Sequence, residues 1–129
     1  MGTKKTNTKP CRFMLVLGLG LAMGFFLVVS LLYAGWIKVL YPNGGEVLKT
    51  GTSIQIKWQS QDLNGKVVIV LYKKGIKHTV ISNQTDNSGV FPWKIPQNLP
   101  EGNDYRVRIR AVEDLAVNDF SDRDFTIKK

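Results

Sequence analysis

The amino-acid sequence predicts an all-β protein: one antiparallel β-sandwich of about seven strands, preceded by a single N-terminal hydrophobic helix. Three observations carry this. Charged residues stop at Arg12 and resume only at Lys38. Beyond residue 36 the apolar residues recur with a period of two and never of 3.6, which is the pattern of half-buried strands. Turn residues punctuate that second region about every 8–12 residues, the spacing of short strands in a sandwich.

The chain has 129 residues and a formal charge of +8. Residues 1–12 form a basic segment in which Lys4, Lys5, Lys9 and Arg12 hold four of the 18 Lys+Arg. Residues 13–35 follow as the apolar span. A helix through it is about 30 Å long, enough to cross a bilayer core. Basic residues flanking an apolar helix stay on the cytoplasmic side, so the remainder is expected outside the cytoplasm. The span is long for a signal peptide, and Leu32, Tyr33 and Ala34 make an imperfect cleavage site. A retained signal anchor is therefore expected, the alternative being secretion after cleavage near Ala34. Gly20 and Gly24 form a G-x-x-x-G pair able to bring two such helices together. Tyr33 and Trp36 fall where aromatic residues favour a membrane interface.

Residues 36–129 are the size of one immunoglobulin- or fibronectin-III-like sandwich. The strands read in order. Ile37–Tyr41 ends at the turn Pro42-Asn43-Gly44-Gly45. Ser53–Ser60 alternates, with Ile54, Ile56 and Trp58 on one face and Gln55, Lys57 and Gln59 on the other. Asn64-Gly65 turns into Lys66–Lys73, where Val67, Ile69 and Leu71 share a face. Lys74-Gly75 makes a hairpin with Ile76–Ser82, and Asn83 to Gly89 reads as a polar loop. Val90–Ile95 places Phe91, Trp93 and Ile95 together. Tyr105, Val107 and Ile109 alternate with Arg106, Arg108 and Arg110, and Phe120–Lys128 closes the domain as one strand. Tyr105 follows the turn Leu99-Pro100-Glu101-Gly102-Asn103, the setting of a tyrosine corner.

Val39 to Glu46, Ile56-Lys57-Trp58, Leu71-Tyr72-Lys73 with Gly75, Trp93-Lys94-Ile95-Pro96, Leu99-Pro100 and Tyr105 to Ile109 form an ordered series of short motifs. Together they resemble the Kre9/KNH1-like N-terminal domain of yeast cell-wall synthesis proteins, the module of the Ser-Thr-rich GPI-anchored membrane protein family. The resemblance spans about residues 37–127. It implies an extracellular immunoglobulin-like sandwich, an association with β-1,6-glucan assembly in fungal members, and an accessory role beside surface or hydrolytic domains in prokaryotic ones.

Catalysis has little to build on. His78 is the sole histidine and Cys11 the sole cysteine, so no Cys/His pair or disulfide exists within the domain. No G-x-S-x-G elbow is present either. Glu113, Asp114, Asp119, Asp122 and Asp124 crowd the last loop and strand. Lacking a Ca²⁺-loop pattern, and with Arg110 and Arg123 nearby, they read as surface ion pairs. Catalytic, cofactor and metal residues are accordingly assigned as none. Arg106, Arg108 and Arg110 fit a solvated strand face, with no nucleic-acid partner. Trp58, Trp93 and Phe91 share faces with core residues, which leaves Tyr72 as the freer aromatic for stacking a ligand. Asn83-Gln84-Thr85 is an N-glycosylation sequon expected in a loop.

The expected function is a noncatalytic binding or structural module at the cell surface, joined to the membrane by the N-terminal helix and contacting cell-wall glycan or an envelope protein. The alternative is a membrane-anchored spacer or assembly subunit. An enzyme of glycan metabolism requires a carboxylate pair in a cleft, which no motif supplies.

Overall fold

The computed structural model describes residues 35–129. The basic segment, the apolar span, the Gly20/Gly24 pair, Cys11 and the cleavage site near Ala34 lie outside the described residues.

Nine strands and no helix make up the described region: β1 (Trp36–Tyr41), β2 (Val47–Lys49), β3 (Ser53–Gln61), β4 (Lys66–Lys73), β5 (Ile76–Asp86), β6 (Val90–Lys94), β7 (Gly102–Ala111), β8 (Asn118–Phe120) and β9 (Phe125–Lys128). They form two sheets. One has the order β1-β3-β6, and the other β2-β9-β7-β4-β5 with β8 added to β7. The core lies between them. Val39, Ile56, Trp58 and Trp93 come from the smaller sheet, and Ile69, Leu71, Tyr105, Val107, Ile109 and Phe125 from the larger. All-β architecture and the alternating faces of β3 and β7 follow the sequence pattern.

Three expectations need correction. The larger sheet is mixed, not purely antiparallel, because β2 pairs parallel with β9 through Leu48 and Ile127, while the smaller sheet is antiparallel throughout. The strands number nine because β2 is additional and the Phe120–Lys128 segment is two strands. Ser121 to Asp124 interrupts it, and the reason is buried Ser121. Its Oγ donates to the Pro42 carbonyl at 2.8 Å and accepts from the Val107 amide at 3.0 Å. Thirdly, Asn83 to Asp86 continue β5 instead of forming a loop. Thr85 and Asp86 pair with Val67 and Lys66, so the sequon sits on an exposed edge strand.

Local chemistry explains the joints. Lys74 and Gly75 both adopt positive φ, 53° and 74°, as a two-residue type I′ hairpin requires. Pro42 to Glu46 carries the chain from one sheet to the other. There the Glu46 carboxylate accepts from the amides of Asn43 and Gly44 at 2.8 and 2.7 Å. A Cβ on Gly44 would stand 2.7 Å from that of Arg123, so only glycine allows this close passage. The tyrosine corner is formed as expected: the fully buried Tyr105 donates its hydroxyl to the Pro100 carbonyl at 2.6 Å.

Candidate functional site

Strand β4 buries both of its faces. Val67, Ile69 and Leu71 belong to the core, whereas Val68 and Val70 are 7% and 5% exposed yet face the other way. The register explains what covers them. Arg110 stands beside Val68, Arg108 beside Val70 and Arg106 beside Tyr72. Val80 of β5 flanks Val70 from the opposite side. Long arginine stems cover apolar surface while their guanidinium heads stay in water.

At the end of this outer face lies a groove of about 430 Å³, lined by Tyr72, Lys74, Gly75, Arg106, Phe120 and Asp124. Strand β8 brings Phe120 opposite Arg108 on β7. The Tyr72 and Phe120 rings meet edge to face, with centroids 4.9 Å apart and planes at 77°. Arg108 stands over Phe120 at 5.4 Å, and its guanidinium donates to the Tyr72 hydroxyl at 3.3 Å and to Asn118 Oδ1 at 3.2 Å. These contacts fix its plane. Arg106 donates from Nε to Asp124 Oδ1 at 2.7 Å, an exposed pair at the groove's edge. Hydrogen-bond donors, one carboxylate acceptor and two ring edges therefore line one depression. Such a set can offer hydrogen bonds and ring edges to a polar ligand; it contains no paired nucleophile and base.

Tyr72, singled out from the sequence, is in this groove. Trp58 and Trp93 are core, and Phe91 packs partly buried against it. Trp36 is 44% exposed and borders a second, polar hollow with Gln59, Ser60 and Asn87. Its Asn87 is already engaged, accepting from Trp58 Nε1 at 2.7 Å and donating to Ser60 Oγ at 2.8 Å. His78 is exposed on β5 at a shift of register, its ring 6.3 Å from that of Tyr105.

The five acids are not gathered into one site, and among the described residues no three His, Cys, Asp or Glu come together as a metal group. Asp119 accepts from the Val39 amide at 2.9 Å, Asp114 from the Ala116 amide at 3.1 Å, and Asp122 from the Asn43 side chain at 3.0 Å. They tie loops. Of the five, only Asp124 forms a salt bridge among the described residues, and its partner is Arg106, in place of the expected Arg110 or Arg123. Phe120, Arg106 and Asp124 were not legible as site residues. The signal the sequence holds is Phe120, an aromatic next to a polar run, which reads together with Phe125 and Ile127 as one longer strand.

Two packed sheets around one core, a tyrosine corner on β7 and the buried Trp58 of β3 define an immunoglobulin-like sandwich with a groove on its larger sheet. Residues 41–127 match the family described as the Kre9/KNH-like N-terminal Ig-like domain, and the chain belongs to that family. No curated protein and no solved structure matches it.

Proposed function

We propose that this chain is a noncatalytic module of the cell envelope, held at the outer surface by its apolar N-terminal segment, that contacts cell-wall polysaccharide through the Tyr72–Phe120 groove. Family membership supports the cell-wall setting. The observation that carries the contact is the groove itself: two aromatic rings beside fixed donors and a carboxylate acceptor, on an otherwise completed sheet. Ring edges pack against the C–H faces of sugars, while guanidinium and carboxylate groups take the hydroxyls.

The test uses residues 35–129, whose core is drawn entirely from residues 37–127. This fragment is incubated with insoluble cell-wall glycans and with whole envelopes. Retention on a glycan that falls at least about tenfold in Tyr72→Ala, the loss of one good ligand contact, supports the reading. Retention only by envelope protein replaces it with an assembly role. No retention on either sinks it in favour of a tethered spacer.

A further inference from the structure

Resting on the polysaccharide reading, we infer that the ligand class is an acidic glycan, one whose rings carry carboxylates, and that Arg106, Arg108 and Arg110 select it. These three arginines lie in a row on β7: Arg106 lines the groove with Lys74, Arg108 adjoins it over Phe120, and Arg110 continues the row beyond it, with Lys77 on the neighbouring hairpin. On that hairpin Lys77 pairs with Tyr72, which in turn pairs with Arg106. Among the described residues only Arg106 of the five has a carboxylate partner. Arg108 is held in place by Tyr72, Asn118 and Phe120, all neutral, so its charge is oriented without being neutralised. A planar guanidinium fixed this way matches a carboxylate with two parallel hydrogen bonds, which a neutral sugar does not offer.

The geometry also separates this ligand from other polyanions. A groove of about 430 Å³ is at the small end of ligand-sized pockets and admits single rings, not a duplex. Asp124 sits in the same groove. Its carboxylate, paired with Arg106, is an acceptor for sugar hydroxyls, which the uninterrupted phosphates of a duplex or an anionic bilayer do not offer it. Tyr72 and Phe120 supply the surface on which a sugar ring rests. Row, clamp and acceptor together fit a chain that alternates carboxylate and hydroxyl groups.

Polygalacturonate and its methyl ester are the probes, because they share a backbone and differ in charge. The 35–129 fragment is expected to bind polygalacturonate at least about tenfold more tightly than the ester, the worth of one charge-assisted hydrogen bond, and to lose affinity as salt rises. Arg108→Gln and Arg110→Gln should each weaken binding severalfold while the fragment still melts cooperatively, and Tyr72→Ala should weaken it as well. Equal binding to the ester, or preference for a neutral β-glucan, overturns the acidic-glycan inference and leaves the polysaccharide reading standing. Absence of binding to every glycan removes both. Equal affinity for duplex DNA or for phosphatidylglycerol vesicles, indifferent to Tyr72→Ala, overturns the inference in favour of unselective charge attraction.

Discussion

On the outer side of the three-stranded sheet, Lys38, Gln55, Lys57, Gln59 and Lys94 stand exposed in solvent. On the outer side of the six-stranded sheet the comparable rows are Val68, Val70 and Tyr72 beside Arg106, Arg108 and Arg110, and the two valines are buried. A sheet that only closes a core has no reason to cover its far face. The larger sheet does so with side chains of its own, and it ends that layer in a groove. Strand β3 therefore shows the ordinary half-buried alternation, whereas β4 reads as an unbroken apolar run. The difference separates an outer face left open to water from one covered by a second layer of side chains.

Substitutions along one β4 ladder measure how real the second layer is. Ile69→Ala, in the fully buried core, should cost about 2–5 kcal/mol in chemical denaturation. Val70→Ala, on the outer face, should still cost about 1.5–2.5 kcal/mol, because its side chain is nearly as well buried. Lys57→Ala on the outer face of the smaller sheet should stay within about 0.5 kcal/mol of the parent. If Val70→Ala behaves like Lys57→Ala, the arginines do not cover the valines in solution and the contrast between the faces disappears.

The same contrast explains what could be read from the sequence. Strands β3 and β7 were legible because each has one face in the core, and a period of two appears directly in the residue order. Strand β2 was not, since three residues with a single buried Leu48 show no period. Its parallel partner lies some 80 residues away, and local pattern holds no trace of such a pairing. The polar end of β5 resembled a loop because an edge strand buries little, and its three shifts of register blur the alternation further. Tyr72 stood out because it falls on the face of β4 opposite Leu71. Its neighbours Phe120 and Asp124 arrive from a segment whose path depends on Ser121 bonding to Pro42. Arg106, Arg108 and Arg110 were visible only as a solvated face, since the valines they cover lie on another strand.

A middle-sized effect tests the inner face by a different route. Tyr105→Phe removes only the hydroxyl that donates to Pro100, and should lower stability by about 1 kcal/mol, the net worth of one such bond. Burial pushes the Tyr105 phenol above its ordinary value, opposed by the charge of Lys73 and reinforced by Asp104. The unfolded chain thus releases this proton at lower pH than the folded one. The contribution is complete below the ordinary phenol pKa near 10 and is lost as pH rises from there through the raised folded value. Melting curves taken across that range should fall more steeply for the parent than for Tyr105→Phe. Equal slopes would mean that the corner hydroxyl is not shielded.

The smallest effect concerns the surface charges, and it separates structural from functional pairs. Lys66 and Asp86 meet at 2.6 Å where β4 pairs with β5, on an exposed site. The hydrogen bond from Lys66, followed by its charge, holds the Asp86 carboxyl below the usual range. That sign means a contribution present above the ordinary carboxylate pKa and lost as pH falls through the lowered one. Solvent screens so open a pair, so Asp86→Asn should leave the melting temperature unchanged at about pH 7 and about pH 3 alike. Asp124→Asn breaks the other exposed pair, with Arg106, and should be equally silent in melting. In binding the two should part. Asp86 is remote from the groove lining, whereas Asp124 contributes its only carboxylate, so losing Asp124 removes the hydroxyl acceptor and frees Arg106 at once. Affinity for a neutral glycan should drop and affinity for an anionic one should hold or rise. Two variants alike in stability and unlike in this ratio would place the difference between the faces in recognition, and matching ratios would return the groove to the ordinary surface.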